Sequence, residues 1–223
     1  FTGAALIMRF YPGRWRRRIF LLAVVAALGL HLNLQYSAHH VISALAGSFP
    51  QPRLTGAFFI VALVPLCTLL WGNVYCGYLC PFGATQELIG DLRPKRLRTD
   101  PDKRIGRWGR MVKYLLLFLL VLRFAPTRDF THIDADPLTT FFSVLRDRWT
   151  LLFGGVLIAL SFPYRRFWCR NLCPAGAFLA LLNRPRILRR LSPPTHPARC
   201  DLGVRNAEEL DCIRCDRCAH ENK

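Results

Sequence analysis

The chain has 223 residues, 52% of them hydrophobic, and its 31 Lys and Arg against 14 Asp and Glu give a formal net charge of +17. Its nine cysteines are clustered beside basic segments, unlike those of a small disulfide-stapled secreted protein, which favours metal or redox chemistry. No phosphate loop, H-E-x-x-H, G-x-S-x-G or dinucleotide fingerprint is present, so hydrolases and nucleotide-dependent enzymes lack a recognisable site. The basic residues alternate with apolar segments, which indicates contact with anionic membrane lipid rather than with nucleic acid.

Four apolar runs predict helices, at roughly residues 19–34, 56–74, 111–125 and 151–164. Each run is short, because sixteen helical residues extend about 24 Å against a hydrocarbon core of about 30 Å. Lys and Arg alternate along the chain, with 5 in residues 1–18, 1 in 37–55, 9 in 75–113, 4 in 123–150 and 12 after 164. By the positive-inside rule, this alternation predicts an all-α integral membrane protein, with four transmembrane helices in two tandem hairpins and both termini in the cytoplasm.

The predicted organisation has five parts. They are a basic N-terminal segment (1–18), a first hairpin (19–90), a basic cytoplasmic loop (91–110), a second hairpin (111–190) and a cysteine-rich tail (191–223). Because the first residue is Phe1 rather than Met, we expect the sequence to be part of a longer chain.

The motif C-x-x-x-C-P occurs twice, and a shift of 93 residues superimposes the copies, including the Gly and Ala that follow each proline. Cysteines at positions i and i+4 share one face of a helix, and a proline after them can begin the next helix as its first residue. Two adjacent hairpins could therefore bring four thiolates together. We predict a second site here, a metal or cluster site or a pair of reversible dithiols, formed by Cys76, Cys80, Cys169 and Cys173. The alternative is that these cysteines pack as small hydrophobic residues.

The tail contains Cys212, Cys215 and Cys218 in C-x-x-C-x-x-C spacing. Three cysteines at intervals of three can hold three corners of a 4Fe-4S cluster, and a remote cysteine supplies the fourth, as in bacterial ferredoxins. The usual fourth cysteine is absent, since Asn222 occupies its place, so Cys200 is the predicted substitute. Zinc is the lesser alternative, because zinc sites more often pair two separate C-x-x-C knuckles.

The duplicated motif (Cys76 to Pro81, Cys169 to Pro174) together with the cysteine-rich tail resembles the NapH/NosR family of membrane polyferredoxins. The resemblance implies a bacterial inner-membrane protein with 4Fe-4S clusters and a ferredoxin-like cytoplasmic tail. Such a protein passes electrons between the quinol pool or cytoplasmic donors and a respiratory reductase or its maturation system, as an electron-transfer subunit rather than a stand-alone enzyme. FMN is implied only for a chain that includes an additional N-terminal domain.

Two rival interpretations remain beside electron transfer. A transporter would need ionisable residues buried within the spans, where the sequence offers only His31 and Lys113, near their ends. A membrane scaffold or assembly factor could use the tail cysteines to bind zinc without any redox role. The metal content of the purified protein distinguishes such a scaffold from an electron-transfer protein.

Overall fold

The computed structural model describes residues 2–10, 13–48, 56–94, 104–127, 141–142, 148–183, 200, 203–204 and 209–217. Its α-helices are α1 (Thr2–Phe10), α2 (Arg14–Val24), α3 (Ala38–Ala46), α4 (Gly56–Trp71), α5 (Pro81–Asp91), α6 (Arg104–Thr127), α7 (Arg148–Ser161), α8 (Phe167–Asn171) and α9 (Pro174–Leu182). Two π-helical segments, π1 (Val25–His31) and π2 (Tyr75–Leu79), precede α3 and α5. Cys218 lies outside the described residues.

The described elements are helical, but the prediction of four transmembrane helices is wrong. Within the described ranges, no helix is both long enough and apolar enough to cross a bilayer. The apolar helices are too short, because a transmembrane helix needs about 20 consecutive apolar residues. The run at 19–34 is divided between α2 and π1, and α4 and α7 have only 16 and 14 residues. The 24-residue α6 is interrupted by basic residues such as Lys113.

Each C-x-x-x-C-P motif forms a corner between two helical elements. The second cysteine is the N-cap of the following helix, and the proline is its first residue, where the missing N–H costs no hydrogen bond. The backbone N–H of Gly83 donates to Cys80 Sγ at 3.4 Å, and that of Gly176 donates to Cys173 Sγ at 3.2 Å. The predicted role of the proline as a helix start is therefore confirmed in both copies.

The two helices that begin at these corners are packed in equivalent ways. Helix α5 lies against α2, where Ala84 is buried beside Leu21, and α9 lies against α6, where Ala177 is buried beside Leu117. Alanine at both positions lets the helix axes approach closely, and Phe82 fills the space between the first corner and α7. The repeat thus determines how each corner is held in the core.

The described part of the tail, residues 209–217, lies directly on π2. A Cβ atom added to Gly77 would be 2.4 Å from the carbonyl oxygen of Ile213, so only glycine permits this approach. In the second repeat the equivalent position is Arg170, whose side chain would block the same approach. Asn183 Nδ2 also donates to the carbonyl of Cys212 at 3.2 Å, and Lys113 on α6 pairs with Asp211.

We expect Gly77→Ala to lower the free energy of unfolding by about 1–3 kcal/mol, because the added methyl group must displace the backbone of the tail. Gly155→Ala is the matched control, since a Cβ there meets no atom within 4 Å. It should be neutral or stabilising by up to about 1 kcal/mol, the usual gain for alanine over glycine in a helix. Urea denaturation of both variants measures the difference. Equal stabilities would contradict the docking of the tail on π2.

Candidate functional site

The tail brings three of its four predicted ligands together. Cys200, Cys212 and Cys215 form one small cluster with Val204 and Ile213, although Cys200 is distant from the other two in sequence. The described ranges contain no set of three or more Cys, His, Asp or Glu with the geometry to hold a metal ion. The four-cysteine ligand set therefore stays a prediction.

The backbone of the tail loop directs N–H groups towards its cysteines. Arg214 and Asp216 have φ values of 49° and 51°, a left-handed conformation that is uncommon for residues other than glycine. The N–H of Arg214 hydrogen-bonds the sulfur of Cys212, and the N–H of Arg217 hydrogen-bonds the sulfur of Cys215. Successive inward-facing N–H groups of this kind form the concave anion sites seen around iron-sulfur clusters. Sequence analysis missed this feature, which no local residue pattern signals.

Buried arginines surround the same loop. Burial raises the pKa of the Cys215 thiol to about 12, and the charges of Arg17 and Arg166 oppose that rise. Arg214 is also buried. A coordinated thiol loses its proton outright, and the resulting cluster with its thiolates is an anion. Buried positive charge is therefore the environment that such a group requires, and the thiols and buried charges around the loop have the chemistry that a 4Fe-4S cluster needs.

One buried carboxylate organises these arginines. Glu87 on α5 is 2% exposed and accepts hydrogen bonds from Arg17 Nε at 2.7 Å, Arg166 Nε at 2.9 Å and Arg217 Nη1 at 3.1 Å. Burial opposes its ionisation, but the three guanidinium groups outweigh burial and hold the pKa of Glu87 well below its usual value. Arg217 also bonds to Asp91 at 3.0 Å. The carboxylate thus joins α2, α5, the turn before α8 and the tail.

The two C-x-x-x-C-P motifs meet at Cys80 and Cys169. The Cys169 thiol donates a hydrogen bond to the Cys80 sulfur, and this bond, with the N–H of Gly83 and the charge of Arg166, lowers the pKa of Cys80 to about 7. The same bond raises the pKa of Cys169 well above its usual value, since the donor must keep its proton. Cys76 lies behind this pair, and burial raises its pKa to about 12. The contact that the fold creates is therefore between the two motifs and not within either one.

A partly open cavity lies beside this contact. Cys80, Cys169 and Cys173 line it, together with Gln35, Tyr36 and Trp168. Among the described residues, the buried atoms Gln35 Oε1, Tyr36 Oη and Trp168 Nε1 have no hydrogen-bond partner. The backbone N–H of Tyr36 donates to Tyr75 Oη at 2.8 Å, which fixes this segment against π2. Sequence analysis missed Gln35 and Tyr36, because nothing in their local sequence marks them.

Comparison with known proteins bears on both cysteine sites. The family model described as a 4Fe-4S binding domain matches residues 54–99 and 148–193, and each matched segment contains one C-x-x-x-C-P motif. Protein NirI of Paracoccus denitrificans is 31% identical over 98% of this chain and 36% of its own length. The chain belongs to the NapH/NosR family of ferredoxin-type iron-sulfur proteins. The match supports a 4Fe-4S cluster as the cofactor of this family member.

Two other relatives show how much of a longer protein the chain corresponds to. The putative electron transport protein YccM of Escherichia coli is 31% identical over 84% of the chain and 50% of its own length. The regulatory protein NosR of Pseudomonas aeruginosa is 30% identical over 68% of the chain and 22% of its own length. The chain therefore spans half or less of the length of these relatives. No solved structure matches it.

We expect mild oxidation of the iron-free protein to form a disulfide between Cys80 and Cys169, because their sulfurs are already in hydrogen-bond contact. Peptide mapping by mass spectrometry identifies the pair. Cys67 is the internal control, since it lies in a separate apolar cavity with Leu63 and Trp71 and should remain a free thiol. Disulfides within each motif, Cys76 with Cys80 and Cys169 with Cys173, would contradict the contact between the two motifs.

Proposed function

We propose that this chain is an iron-sulfur electron-transfer protein whose 4Fe-4S cluster is held by Cys212, Cys215, Cys218 and Cys200. The observation that carries the proposal is the docking of the tail loop: Ile213 and Arg214, between two of these cysteines, touch Gly77, which follows Cys76 of the first motif. Both cysteine sites therefore belong to one packed unit. The name of the relative YccM, a putative electron transport protein, supports the same function.

The roles of the residues follow from their positions. When bound, the cluster supplies one-electron redox chemistry. The N–H groups of Arg214 and Arg217 hold negative charge at the Cys212 and Cys215 sulfurs. Arg17 and Arg166 add buried positive charge, which stabilises the more negative, reduced state. The packing of the loop on π2 and α6 limits the access of water to these groups.

The motif cysteines are proposed as a second redox site. Cys80, Cys169 and Cys173 line one cavity, and Cys76 lies behind Cys80. The family model that matches both motif segments describes 4Fe-4S binding, which favours a metal cluster over a pair of dithiols. Soft thiolates are the ligands that such clusters use.

For the partners, only a class of protein is proposed. Redox proteins of a reductase system fit the resemblance to NosR and NirI, with quinol or a cytoplasmic donor as the source of electrons. A location at the bacterial inner membrane, near anionic lipid, stays a prediction that rests on the resemblance and on the net charge of +17.

Metal analysis of anaerobically purified protein tests the proposal. We expect iron and acid-labile sulfide, with an EPR signal after dithionite reduction. Cys212→Ser should remove the iron of the tail site, and Cys169→Ser should remove the iron of the motif site. Cys67→Ser is the matched control and should keep all the iron, because Cys67 lies in another cavity.

The contrary outcomes are distinct. Zinc without iron, in colourless protein, would support the scaffold function and overturn electron transfer. Full iron content in Cys212→Ser, with all iron lost in Cys169→Ser, would refute the tail site.

A further inference from the structure

Arg166 occupies the space between the two cysteine sites. It lies three residues before Cys169 and adopts a left-handed conformation with φ of 53°, and its side chain is 3% exposed. Its guanidinium reaches across to the first motif, donating to the carbonyl of Cys76 and, at 3.0 Å, to that of Gly77. The left-handed backbone conformation and the burial of the guanidinium both cost free energy, so this placement of Arg166 requires strong compensating contacts.

Glu87 provides that compensation. It accepts from Arg166 Nε at 2.9 Å and forms an ion pair with Arg166 Nη2. Gly83 lies beside both groups, since a Cβ atom built there would lie 3.4 Å from Arg166 Nη1 and 3.5 Å from Cys169 Sγ. The guanidinium and a sulfur of the second motif therefore both pack against the first corner.

The charge of Arg166 reaches both sites. On one side are Cys80 and Cys169, where the two motifs touch, and on the other is Cys215, whose loop rests on Gly77. Arg17 also donates to the carbonyl of Gly77, at 2.9 Å, and approaches it from α2. Arg166 therefore lies between groups of both sites and within one low-dielectric interior, where a fixed charge acts more strongly than in water.

We propose that Arg166, held by Glu87, is a positioning residue that sets the reduction potentials of both cysteine sites together, so that the two sites are tuned as one electrostatic unit. The proposal rests on the proposed function, since it requires redox groups at these cysteines. A positive charge favours the reduced, more negative state and raises the potential, whereas the carboxylate of Glu87 does the reverse.

Redox titration of the iron-loaded protein, followed by EPR, tests this inference. If the motif cysteines carry no iron, the fraction of their thiols that is reduced is measured in the same samples by alkylation and mass spectrometry. Arg166→Gln should lower the potentials of both sites by at least 59 mV, a tenfold change in a one-electron equilibrium constant. Arg166→Lys keeps the charge and should lower them less. Arg165→Gln is the matched control, because the neighbouring Arg165 is also buried but bonds to Asp91 and to the carbonyl of Gly90.

Glu87→Gln separates charge from structure. It should raise both potentials, and the double variant Arg166→Gln/Glu87→Gln should return them towards the wild-type values. Damage to the fold would not give opposite shifts that cancel, so this set remains decisive even if Arg166→Gln alone is unstable. Iron-loaded variants with unchanged potentials, or shifts at only one site, would overturn the inference. Wild-type protein that lacks iron and redox-active thiols would instead overturn the proposed function.

Discussion

The structure depends on one ionised carboxylate in the protein interior. Glu87 binds Arg17 from α2, Arg166 from the turn before α8 and Arg217 from the tail, and so binds residues up to 130 positions away from it in sequence. Burying these charges is favourable only because each has a partner, and removing one partner would leave an uncompensated charge at a typical cost of about 3–5 kcal/mol. The positions of the motif corners and of the tail loop are consequently coupled through this residue.

The repeat explains the symmetry of the core, and its divergence explains the asymmetry of the site. Both copies use a cysteine N-cap, a proline start and a buried alanine, so both corners have the same shape. Gly77 then distinguishes the first copy, because only a residue without a side chain admits the backbone of the tail. The arginine at the equivalent position of the second copy would exclude that backbone. One duplicated unit can therefore provide a docking face for the tail and a partner cysteine for its twin.

The motif corners and the family could be predicted from sequence, because the spacing of Cys and Pro acts locally along the chain. The prediction of membrane spans was wrong, because hydropathy measures the length of an apolar run but not where the helix within it ends, as at Val24. Large apolar side chains such as Leu66, Phe118 and Leu152 remain exposed instead. The charge network and the cavity were also beyond prediction: Arg166 and Glu87 are 79 residues apart, and only the packed fold shows that they meet.

Iron-edge anomalous diffraction from crystals of the anaerobically prepared protein locates metal and chain together, and so tests whether the tail cysteines hold an iron-sulfur cluster. We expect an iron peak bounded by Cys200, Cys212 and Cys215, with the tail loop in contact with Gly77 and Arg217 bound to Glu87. A zinc-edge peak at those cysteines, or a tail loop placed away from Gly77, would contradict this proposal.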